Sequence, residues 1–121
     1  MRPHKQLVAW KEAIELVKLI YKLTKLFPED EKFGIISQLR RASVSVPANI
    51  AEGAARASSK EYSHFINIAL GSLSEIDTLL TISFELAYLQ EIDFNKAIQQ
   101  SDKVTALSSG LYKSILNSLK S

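Results

Sequence analysis

Two arginines stand side by side at positions 40 and 41, a third follows at 56, and Lys18 and Lys22 lie four apart upstream. These are the side chains that hold phosphate, arginine as a flat and permanently charged fork and lysine as a compact point charge. Neighbouring positions on a helix point about 100° apart, so Arg40 and Arg41 do not converge on one small ligand. One can be held inside the protein while the other reaches solvent. Glu52, Glu75 and Asp77 are the acids placed to receive them, and at least one of the two arginines is expected to be ion-paired internally, because arginine at packed interfaces is usually paired. The lysines recur with Lys11, Glu15 and Lys25 on the polar side of a helical pattern, where a solvated stripe is the ordinary outcome and phosphate contact the functional one.

The stretch SQLRRASVSVPANIAEGAAR, residues 37–56, also carries Pro47, Asn49, Glu52 and Gly53. A proline inside a helix removes a donor and crowds the carbonyl four residues back, at a cost of about 3 kcal/mol. The residues around it are therefore expected to be structural: Pro47 bends the helix, Asn49 or a nearby serine bonds the carbonyls left free, and Gly53 forms a left-handed C-terminal cap. Asn49 and Glu52 share a helical face, but no nucleophile or metal partner accompanies them. Glu61 and His64 have the Glu-x-x-His spacing of di-iron bundles, yet no second copy exists, and Glu61 fits a capping box with Ser58. No serine lies in a nucleophile elbow, no glycine-rich loop cradles phosphate, and the chain has no cysteine. The expectation is a protein without catalytic site, metal or cofactor.

Four segments of helical periodicity must position these side chains. The first, from about Lys5 to Leu26, has one apolar stripe of Leu7, Trp10, Ile14, Val17, Tyr21 and Thr24 and another of Ala9, Ala13, Leu16, Ile20, Leu23 and Phe27. Pro28 and the acids after it suit the start of the second, which uses Ile35, Ile36, Leu39, Ala42, Val46 and Ile50. The third runs from about Ser59 to Leu89, with Ile66, Ala69, Leu73, Ile76 and Leu80 on one face and Ile68, Ser72, Leu79, Ile82 and Leu86 on a second. Asp93 is placed to cap a fourth over roughly 94–119, whose narrower stripe and polar Gln99, Gln100 and Lys103 suggest an outermost helix. Short connections favour antiparallel neighbours, so the fold class is all-α: one domain over residues 1–121, an up-down-up-down four-helix bundle.

A chain of 121 residues with 46% hydrophobic and 23% charged residues can bury one core without staples. Its N-terminal segment alternates apolar with charged residues, so neither a signal-peptide core nor a membrane partner is expected, and the location expected is cytoplasmic. The net charge is only +2, but residues 1–60 carry eleven Lys/Arg against six Asp/Glu and residues 61–121 four against seven. That asymmetry permits a basic face and equally suits packing between unlike halves of separate copies.

The strings QLRRASVSVPANIAEGAAR and EYSHFINIALGSLSEIDTLL, with LVAWKEAIELVKLIYKLTKLFP upstream, closely resemble the four-helix-bundle proteins encoded by intervening sequences in bacterial 23S rRNA genes. The match spans about Leu7 to Leu89, and it departs at Ala54-Ala55-Arg56, where relatives often carry an aromatic or a further polar residue. The resemblance implies a ring-like homopentamer with no established catalytic residues. The chain is also similar to the accessory variability determinant of diversity-generating retroelements, which implies RNA or DNA as a ligand and a nucleic-acid-processing protein as a partner. A pentamer would explain the apolar positions on two faces of the first and third helices, one filling the core and one packing on a neighbour. A protein-binding scaffold whose cations are mostly paired is the alternative.

Overall fold

The computed structural model describes residues 3–119, and among them every regular element is helical. A single turn at Pro3–Gln6 leads into α1 (Val8–Thr24); a second turn at Glu29–Glu31 precedes α2 (Ile35–Ala54); α3 (Ser59–Glu85) and α4 (Glu91–Ser118) follow. Contacts join α1 to α2, α2 to α3, α3 to α4 and α4 back to α1, with none across either diagonal, so the helices stand at the corners of a square. Side chains give the directions. Gly53 near the end of α2 lies against Tyr62 near the start of α3, Ser59 at the start of α3 bonds Ser118 at the end of α4, and Phe84 stacks on Phe94 at the other end. The bundle is therefore antiparallel throughout, and α4 is a corner equivalent to the others rather than an outermost helix.

One stripe per helix builds the core. Ala9, Ala13, Leu16, Ile20 and Leu23 of α1 meet Ile35, Ile36, Leu39, Val46 and Ile50 of α2, with Ile66, Leu73, Ile76 and Leu80 of α3 and Ala97, Val104 and Ile115 of α4 closing the far side. Each large aliphatic side chain removed from water in this way contributes roughly 1.5–3 kcal/mol. The second α1 stripe forms a half-buried shoulder at Trp10, Ile14 and Val17, and Tyr21 is exposed. On the second face of α3 Leu79 is buried, but Ile68 and Ile82 remain exposed, as does Val44 of α2. By length and composition α3 is apolar enough to cross a membrane; here its stripe from Ile66 to Leu80 lines the bundle core.

Helix ends differ from the expected ones in four places. The acids after Pro28 form their own turn, because Phe33-Gly34 interrupts before α2 starts. At Ser58 the hydroxyl accepts from the Glu61 amide at 3.1 Å and lies 3.4 Å from its carboxylate, so Glu61 answers the hydroxyl rather than the serine amide. α3 stops at Glu85 instead of Leu89: Ala87 takes the left-handed conformation at φ 64°, the Tyr88 amide donates to the Ser83 carbonyl at 2.8 Å, and the Ala87 amide donates to that of Phe84 at 2.9 Å. This is a Schellman termination with alanine where glycine is usual. Finally, α4 begins at Glu91 after Gln90, whose side chain makes no cap, and Asp93 sits within the first turn.

Candidate nucleic-acid interface

Along the seam between α1 and α4 the polar stripes of both helices face a shared groove of about 500 Å³. Lys18 and Lys22 line it from α1, and Lys96 and Lys103 line it from α4, with Gln99 and Gln100 between them. Two of the four ammonium groups are paired: Lys18 with Glu15 at 2.9 Å, and Lys103 with Glu12 at 3.2 Å. Lys22 and Lys96 make no ion pair among the described residues. Below the groove the Gln100 amide donates to the Glu12 carbonyl at 2.9 Å and to its carboxylate at 3.0 Å. The bond from Gln100 to the carboxylate, with the hydrogen bond and charge of Lys103, holds the Glu12 carboxyl below its ordinary value. Glu12 is thus anchored as a fixed anion that orients Lys103, while Lys22, Lys96 and the exposed Gln99 point charge and donors at open space.

The arginines do not join this groove. Arg40 is half-buried at the C-terminal end of α1: its Nε donates to Thr24 Oγ1 at 2.9 Å, a second nitrogen lies 3.5 Å from the Tyr21 carbonyl, and the guanidinium sits 4.6 Å from the Tyr21 ring centre. Thr24 passes its own proton to the Ile20 carbonyl at 2.7 Å. The expected pairing of Arg40 or Arg41 with Glu52, Glu75 or Asp77 does not occur. Glu52 is three helical turns beyond Arg40 and one turn from Arg56, which takes it at 3.2 Å. Arg40 is instead held by the Thr24 hydroxyl and the Tyr21 carbonyl at the C-terminal end of α1, where a cation is favoured. Arg41 is exposed in a separate groove of about 320 Å³ between α2 and α3, facing Gln38, Ser45, Ser72 and Glu75 without an ion pair. Arg56 is at the opposite end of α2, paired to Glu52 and stacked on Phe65 at 4.9 Å. Five cations singled out in the sequence therefore fall in four places.

The residues around the proline make contacts within the fold that differ from the expected ones in two respects. α2 continues through Pro47, which is buried, and the Asn49 amide donates to the Ser45 carbonyl at 2.8 Å and hydroxyl at 2.9 Å. The carbonyl that Pro47 deprives of its donor is that of Ser43, so Asn49 does not replace the missing bond. It locks Ser45, whose hydroxyl also accepts from Ser72 of α3 at 2.9 Å. Gly53 is not a left-handed cap either: it lies inside α2, buried, with no positive φ. A Cβ there would stand 2.9 Å from Tyr62 Cδ1 and 3.1 Å from Phe65 Cβ, so glycine is needed for the close approach of α3. Tyr62 is pressed deep enough into this contact for burial to raise its phenol. Glu61 is engaged with Ser58, His64 packs edge-on against Phe65, and among the described residues no three His, Asp or Glu side chains gather as metal ligands.

Lys96 and Lys103 line this groove although the sequence did not mark them as phosphate contacts. They are seven apart on one helical face, as Lys18 and Lys22 are four apart on theirs, but which faces meet is decided by the α1–α4 packing.

Fold and groove together define a small antiparallel four-helix bundle with a lysine-lined seam. The family model of the 23S rRNA-intervening sequence protein matches residues 5–110, and the chain belongs to that family. Among solved structures it is similar to a protein of unknown function from the S23 ribosomal protein family of Bacteroides thetaiotaomicron, at 24% identity and a TM-score of 0.81, over 88% of this chain and 99% of that one. No curated protein matches the chain.

Proposed function

We propose that the protein is a non-catalytic bundle that binds the phosphate backbone of RNA or DNA and acts as a homo-oligomer, a pentamer by its family resemblance, in the cytoplasm. The α1–α4 groove carries this reading: four lysines line one open surface, and only two of them are neutralised by neighbouring acids. Phosphate contact needs no preorganised pocket, only clustered charge whose counterions can be released. Oligomerisation would multiply it, since five copies of +2 make +10. Val44, Ile68 and Ile82, exposed on the α2–α3 side away from the lysine seam, are what a neighbouring copy would cover.

Filter binding of a structured RNA and a duplex DNA across a salt series tests the proposal, with light scattering to give the particle mass. Binding is expected to weaken steeply with salt, and Lys22→Glu with Lys96→Glu is expected to weaken it at least about tenfold and flatten the salt slope by about two. Absence of binding at low salt, or binding indifferent to salt, would remove the reading. The pairing of Lys18, Lys103 and Arg56 with acids favours a second one, a protein-binding scaffold. Under it, charge reversal at Lys22 and Lys96 leaves any residual nucleic-acid binding unchanged.

A further inference from the structure

Where α1 hands over to α2 and α3 to α4, the bundle leaves four large apolar side chains in water: Phe33 is 91% exposed, Leu26 79%, Ile92 71% and Leu86 51%. The two connections lie against each other. Phe27 and Tyr88 place their rings 5.5 Å apart, and the Tyr88 hydroxyl donates to Glu31 Oε2 at 2.8 Å. Phe27 and Leu89 already close the core beneath, so the four exposed side chains lie outside it, Phe33 with the Lys32 ammonium 5.6 Å from its ring centre. Large apolar side chains gathered at one end of a small domain mark an interaction surface. The same end is acidic, for residues 25–34 and 85–93 hold six Asp/Glu against two Lys. Glu29, Asp30, Glu85 and Glu91 are all exposed there.

We propose that this end docks a basic amphipathic segment of a partner polypeptide, its apolar side chains resting on Phe33, Leu26, Ile92 and Leu86 and its lysines or arginines on the surrounding carboxylates. Charge selects the occupant. Nucleic acid and anionic lipid are repelled by a balance of −4, six acids against two lysines, and two copies meeting by this same end would set like charge on like. A head-to-tail copy would bring the opposite end, where residues 4–11, 52–64 and 113–119 carry five Lys/Arg against two Asp/Glu. Among the described residues that end exposes only Val8 and Leu119 of its large hydrophobics, its Arg56 is already paired with Glu52, and such a contact does not close but runs on into filaments. A basic segment that becomes helical on docking satisfies both the apolar and the acidic features at once. The proposal is independent of the lysine groove.

Fluorescence anisotropy with a labelled amphipathic Lys/Leu peptide, set against a Glu/Leu peptide of the same apolar pattern, tests it. The Lys/Leu peptide is expected to bind, and both Phe33→Ser/Ile92→Ser and Glu29→Lys/Asp30→Lys are expected to weaken it about tenfold or more, a loss of about 1.4 kcal/mol. All four positions are exposed, so circular dichroism should show the fold intact. Lys22→Glu/Lys96→Glu should leave peptide binding unchanged while weakening nucleic-acid binding. The proposal is overturned if the Glu/Leu peptide binds equally well, if either double variant keeps full affinity, or if Phe33→Ser/Ile92→Ser lowers the particle mass and so reveals an interface between copies.

Discussion

Gly53 and Ala87 are two small residues whose backbones ask opposite things of them. Gly53 is in ordinary helical conformation, and what it lacks is space: Tyr62 and Phe65 occupy the volume a Cβ would fill, and the Tyr62 backbone carbonyl is 3.1 Å from that point. Because part of the obstruction is backbone, the neighbour cannot swing away, and Gly53→Ala is expected to destabilise the protein by about 1–3 kcal/mol despite alanine's better helix propensity. A lowered urea midpoint with an unchanged slope would record this. Ala87 has the space but the wrong conformation, since a left-handed alanine costs about 1 kcal/mol that glycine avoids. Ala87→Gly is therefore expected to raise the melting temperature by about 4 °C. The sequence reading assigned the glycine's purpose to the wrong constraint and passed over the alanine. A glycine after an apolar run signals a left-handed cap and a close helix contact alike, whereas an alanine signals neither.

At the scale of helices, the four periodic segments could be read directly from stripes recurring at three and four, but α1 and α3 each offered two such stripes, and the packing decides which of them fills the core. Leu16, Leu39 and Ile66, each on an apolar stripe of its segment, are fully buried. Ends were harder, since several local signals compete there. Asp93 reads as a cap, but Gln90 precedes the first turn and Glu91 and Asp93 both lie within it, where their charge favours the positive end of the helix without closing an amide. Gln90 has the extended backbone of a cap, φ −73° and ψ 155°, and no side-chain bond to the first turn. Gln90→Asp should supply that bond and is expected to stabilise by about 1 kcal/mol, seen as slower amide exchange in the first turn of α4 and a higher urea midpoint. The gain should be smaller than at an uncharged end, because the new carboxylate joins Glu91 and Asp93.

In the whole molecule, the proposed phosphate contact depends on which stripes the packing brings together, and that was the least legible part of the sequence. Arg40 and Arg41 are the conspicuous pair, yet Arg40 is spent on the end of α1 and Arg41 faces another groove. The lysines that do converge are separated by more than seventy residues and meet only because α4 closes the square against α1. That closing seam has a polar clasp at Glu12, which receives Gln100 and Lys103. Its folded carboxyl is held below the ordinary carboxylate value, chiefly by the Gln100 bond and then by Lys103, so the ionised form favours the folded state. The stabilisation is present above the unfolded chain's value, near neutral pH, and is lost as pH falls through the lower folded one. Comparing wild type with Glu12→Gln by thermal melting should therefore show an advantage for wild type at neutral pH that shrinks as the solution is acidified and vanishes once Glu12 is protonated in both states. Salt should shrink it too at neutral pH, since the Lys103 side chain is 57% exposed and its charge is screened. A difference between the two proteins that does not change with pH would mean that the Glu12 charge contributes nothing to the clasp.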